Sequence, residues 1–60
     1  MDYVVVLYEV EKDSVKTFTI SGVSGVKELN KRVLSLVESL EVHSQSHYTL
    51  VSITHLGPLV

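Results

Sequence analysis

An α+β fold of two layers, ordered strand, strand, helix, strand, is predicted by three observations on this chain. The first is the run "YVVVLY" from Tyr3 to Tyr8, whose β-branched and aromatic residues suit a strand. The second is a set of apolar residues, Val26, Leu29, Val33, Leu36, Val37 and Leu40, recurring at three- and four-residue spacing. At about 100° per residue that spacing gathers all six on one stripe of a helix. The third is the return to strand chemistry at "YTLVSITHL", Tyr48 to Leu56.

Each element follows from its residues and their breakers. The first strand is placed over residues 3–10, and Glu11-Lys12-Asp13-Ser14 is a polar turn. The second runs over 15–20, close enough in sequence for an antiparallel hairpin. Ser21-Gly22-Val23-Ser24-Gly25 is a loop offering Ser24 or Gly25 as helix cap, and with Gly25 in that role Glu28 falls at the third helical position. The helix is expected over 25–41. His43-Ser44-Gln45-Ser46 reads as a polar connection, and a last strand over 48–56 ends at Gly57-Pro58. A helix crossing back over the sheet leaves a slot for the first strand between the other two. The expected sheet is therefore three-stranded, antiparallel or mixed, in the order 2-1-3.

A central first strand raises the question of its two faces, because one helix covers only one. Val4, Val6, Tyr8 and Val10 form its uninterrupted apolar set and are expected under the helix with Phe18, Ile20, Val51 and Ile53. The opposite face would then carry Tyr3, Val5 and Leu7, flanked by Val15, Tyr48 and Leu50, with no further segment to cover it. A contiguous apolar patch of several hundred Å² is unusual on a small monomer, so this face is expected to be a contact surface, for a second copy by default or for another protein. Leu34 lies outside the helical stripe and is the additional apolar candidate.

Composition excludes several classes. Sixty residues make one domain with a thin core, commonly helped by disulfides, a metal or a partner. Disulfides are out, since there is no cysteine, which fits a reducing compartment. No basic segment precedes the first apolar run and none approaches a membrane span of about 18 residues, so a cytoplasmic protein without membrane contact is expected. A net charge of −2 gives no broad basic field for nucleic acid. Lys27, Lys31 and Arg32 form a small basic patch in the first half of the helix, while Glu38 and Glu41 lie near its end, against the preference of the helix dipole. That patch is the basis of the alternative, a small nucleic-acid-associated regulator. His43, His47 and His55 lack a fourth ligand, so no metal and no cofactor are expected. No nucleophile motif or phosphate loop is present, and one shallow sheet leaves little room for a substrate pocket. A non-catalytic protein is expected.

A β-hairpin, one amphipathic helix and a final strand with a proline-containing tail, "YTLVSITHLGPLV", resembles the small bacteriophage proteins that bind and inhibit host enzymes, such as inhibitors of bacterial RNA polymerase and of uracil-DNA glycosylase. The resemblance lies in element order and length over nearly the whole chain, and this chain departs from it in being nearly neutral. It implies a non-catalytic protein that acts by occupying a surface.

Overall fold

The structure, a computed structural model, describes residues 1–57. It contains β1 (Asp2–Glu9), β2 (Ser14–Ile20), α1 (Val26–Ser44) and β3 (Tyr48–Leu56). The sheet order is β2-β1-β3, and both outer strands are antiparallel to β1, giving the expected α+β arrangement. Pro58, expected to stop the last strand, lies outside the described residues. No helix among the described residues is long and apolar enough to cross a membrane.

The helix begins where its chemistry allows. Gly25 is the N-cap, and Glu28 reaches back so that its carboxylate accepts the Ser24 backbone N–H at 3.0 Å and the Ser24 hydroxyl. These bonds hold the Glu28 carboxyl below its ordinary value, and they fasten the residue before the cap to the first helical turn. At the other end the helix runs through Val42, His43 and Ser44, where the sequence reading ends it at 41 and gives His43 and Ser44 to a loop. It stops at Gln45, whose N–H closes the last helical bond to the Glu41 carbonyl at 2.9 Å and whose left-handed conformation (φ 54) turns the chain out of the helix.

The assignment of the two sheet faces is reversed from the sequence expectation. Val5 and Leu7 are fully buried beneath the helix with Ile20, Val23, Leu29 and Val33, and Tyr3, Phe18, Leu36, Val37, Leu40, Tyr48 and Ile53 pack against them. Val4, Val6 and Tyr8 face away from the helix. Two local causes fix this. The β1–β2 hairpin pairs Glu9 with Ser14 across four loop residues, and an even-length loop pairs odd positions of β1 with even positions of β2. Phe18 must therefore neighbour Val5, and Ile20 must neighbour Tyr3, so burying the two large β2 residues buries the odd set of β1. In β3 the register shifts between Val6 and Leu7, leaving Val51 without a partner. This bulge puts Tyr48, Leu50 and Ile53 on the helix side, and Thr49, Ser52 and Thr54 on the open side. Val10 and Val51, both expected in the core, are exposed, and so is Val26 at the helix start.

The buried odd set includes a charge. Glu9, at the end of the Tyr3-Val5-Leu7 row, is as buried as Val5 and Leu7, and neither carboxylate oxygen has a hydrogen-bond partner. Lys12 and Lys16 approach it at 3.8 and 4.0 Å from the exposed side.

Candidate functional site

The open face is the side of the sheet away from the helix, which no element among the described residues covers. Its rows run across the strands: Thr19, Val4, Thr54; then Thr17, Val6, Ser52; then Val15, Tyr8, Thr49. Small β-branched and hydroxyl side chains alternate there without a charged group among them. Charges stand only at its two ends. Asp2 accepts the Gly22 N–H at 3.2 Å, and Gly22, at φ 70, occupies a conformation that side-chain-bearing residues rarely adopt. Asp13 accepts the Tyr8 hydroxyl at 2.5 Å, a bond that raises the phenol above its ordinary value. Tyr8 is thereby held at the end of the sheet with its hydroxyl satisfied.

The residues expected to form a contact surface are thus divided. Val5 and Leu7 belong to the core, Tyr3 and Tyr48 border it, and only Leu50 and Leu34 are substantially exposed, at 48% and 62%. Tyr3 stacks edge-on against His55 with ring centroids 5.2 Å apart. Tyr48 shares a 3.1 Å hydrogen bond between its hydroxyl and that of Ser44. Val4, Val6, Val15 and Tyr8 make up the apolar part of the face that is open, and hairpin parity is the signal that would have found Val4, Val6 and Tyr8 there.

The basic patch is also divided. Arg32 donates to the Ser21 carbonyl at 2.6 Å and lies 3.9 Å from Glu28, so its guanidinium fastens the helix to the end of β2. Lys27 and Lys31 remain exposed. Two lysines offer little for phosphate recognition, where each neutralised phosphate adds one counterion-release increment.

The histidines go to separate places. His43 lies in the last turn of the helix, His55 lies against Tyr3, and His47 pairs with Glu11. The Glu11 carboxylate accepts both the His47 backbone N–H at 2.7 Å and its ring Nδ1 at 2.5 Å, tying the β1–β2 loop to the start of β3. That bond raises the imidazole above its ordinary value and lowers the carboxyl below its own. Among the described residues no three His, Cys, Asp or Glu side chains are grouped to hold a metal ion. A shallow depression lies on the outer helix surface, lined by Ser35, Glu38, Ser39, Val42 and His43.

Comparison with protein families, with characterised proteins and with solved structures finds no match to this chain.

Proposed function

We propose that this chain is a non-catalytic protein-interaction module that self-associates and acts by occupying a surface on another protein. The observation that carries the proposal is the open face of the sheet, an uncharged field centred on Val4, Val6 and Tyr8 with no segment of the described chain over it. The apolar groups gain on leaving water and pack closely against another flat surface, and the hydroxyls among them call for hydrogen-bonding groups on the partner. The element order resembles that of small phage inhibitors, and on that resemblance the class of target is a host enzyme.

The test is a matched pair of tagged proteins incubated with extract of the native host. Val6→Lys places a charge at the centre of the open face without touching the core, and circular dichroism should show it folded. The wild type should retain a specific protein that Val6→Lys does not. Equal retention by both removes the open face from the proposal.

A further inference from the structure

The outer helix surface carries a pattern of which the monomer uses only Glu41. Lys27, Lys31, Leu34, Glu38 and Glu41 succeed one another at spacings of four, three, four and three, a single stripe about 90° to 170° from the core-facing direction on the 100° wheel, Glu41 nearest the sheet and Lys31 farthest out. Two hydrogen bonds show which way the stripe points. Glu41 Oε2 accepts the Tyr48 N–H at 3.1 Å, so this flank lies on the β3 side, whereas Arg32 holds the opposite flank to the end of β2. Beside the stripe runs the outer edge of β3, which pairs only with β1. Between Tyr48 and Leu56 it carries no Asp, Glu, Lys or Arg. Charges and bulges are the usual guards of an edge: β3 has its bulge at Val51 but no such charge, and the other edge, β2, carries Lys16.

The geometry points to a symmetric dimer in which β3 pairs antiparallel with β3 of a second copy, continuing the sheet to six strands, and the two helices meet flank to flank. A two-fold axis through the paired edges and normal to the sheet leaves both helices on one side and antiparallel. Their stripes are then self-complementary. With Leu34 opposite its own copy, Lys27 is level with Glu41 and Lys31 with Glu38, twice over by symmetry, the second pair meeting over the outer side of the seam through the ends of long side chains.

Strand and helix agree on where the axis lies. The Val23 N–H bonds the Met1 carbonyl, and Leu56 pairs with Asp2, so the segment leading into α1, three residues before Val26, is level with the end of β3. Leu34 lies about 12 Å along the helix from Val26, at about 1.5 Å per residue. Ser52, the middle residue of β3, lies about 13 Å back from Leu56, at about 3.3 Å per residue. One axis therefore passes through both centres. The charge order that opposes the dipole within one helix suits the pair, since each lysine end lies beside the partner's C-terminus and each glutamate end beside its N-terminus. Leu34, Leu50 and Val51, at 62%, 48% and 57% exposed, gain cover at the seam. The open faces of the two copies join into one surface.

This geometry rests on the self-association proposed above, and sedimentation at micromolar concentration separates the two, with circular dichroism as the check on folding. The wild type should be a dimer, and Leu34→Lys with Leu50→Lys a folded monomer. Lys31→Glu should raise the dissociation constant about tenfold, as two symmetry-related pairs turn repulsive. Adding Glu38→Lys to Lys31→Glu should restore the wild-type value, which a merely structural role for either residue would not do. A monomeric wild type overturns the dimer and leaves the open-face contact to its own test. A dimer indifferent to these changes but abolished by Val6→Lys overturns the edge geometry and moves self-association to the open face.

Discussion

Replacing Glu9 with leucine should stabilise this protein, against the usual direction of substitutions at buried positions. The Glu9 side chain is 1% exposed and both its oxygens lack hydrogen-bond donors, whereas Lys12 and Lys16 are 65% and 45% exposed at 3.8 and 4.0 Å. Each lysine at that distance attracts the carboxylate by about 4 kcal/mol at an effective dielectric of about 20. Against this stands a desolvation penalty of several kcal/mol for a buried ion, with about 1–3 kcal/mol more for lone pairs left unmet. The lysines keep most of their hydration and so their attraction is further screened. Apolar replacements of buried ion pairs are commonly neutral or stabilising by about 1–4 kcal/mol, and a leucine side chain at this position would extend the Val5 and Leu7 row. For a chain of this size, a change of about 1 kcal/mol moves the melting temperature by about 8 °C. The assay is thermal and urea unfolding of the wild type, Glu9→Leu, the Lys12→Ala/Lys16→Ala pair and the triple variant. Loss of both lysines should destabilise the wild type by leaving the carboxylate unaccompanied, and should change little once Glu9 is replaced. A Glu9→Leu protein that melts below the wild type refutes the reasoning, and shows that the lysines outweigh the desolvation.

Val5→Lys should abolish folding while Val6→Lys preserves it, because adjacent residues of β1 lie on opposite sides of the sheet; comparable circular dichroism spectra for both would contradict the face assignment. Val33→Asp should unfold the chain and Leu34→Asp should not, by the same measurement applied to the helix. The Glu11–His47 clamp should make stability depend on pH. His47 titrates above 6.5 in the folded protein, so its contribution is full below pH 6.5 and is lost as pH rises through the raised value. Glu11 titrates below 4.5, so its contribution is full above pH 4.5 and is lost as pH falls through the lowered value. Unfolding midpoints should therefore be favoured between these limits, and Glu11→Gln should flatten both flanks; an unchanged profile in that variant would assign the dependence elsewhere. Gly22→Ala should cost about 1 kcal/mol in urea unfolding, since the position is open in space but held at φ 70.

The element order and the sheet order were legible because they rest on strong local signals, namely helical spacing from Leu29 to Leu40 and unbroken strand chemistry on either side. The face of β1 was misread for one reason. The even set Val4, Val6, Tyr8 and Val10 is wholly apolar, and the odd set contains Glu9, so hydrophobicity alone favours the wrong side. Pairing geometry outweighs it: the even-length loop joins Phe18 to Val5, and the cost of burying Glu9 is accepted with it. The bulge at Val51 has no sequence signature, since neither glycine nor a break in pattern marks it, and it alone transfers Tyr48 and Leu50 to the helix side. The extra helical turn depends on Gln45 adopting a left-handed cap that glycine more often supplies. The residues of the open face were missed with the face itself, but Leu34 and the opposed helix charges were visible from the start and gain meaning only once the flank they occupy is known.

The central position of β1 also sets an order of events during synthesis. One side of the "YVVVLY" strand is filled as soon as the hairpin closes, by residues only a few positions away. Its other side waits for β3, which follows a helix of 19 residues. Until then the nascent chain presents an apolar edge with unmet backbone groups, and a helix without a complete sheet to pack on. The hairpin is therefore expected to form early, with α1 and β3 docking together afterwards in a non-local closure that should limit the folding rate. Variants that weaken the β3 edge should therefore reveal themselves first as slower refolding and lower soluble yield, before any change appears in the equilibrium melt.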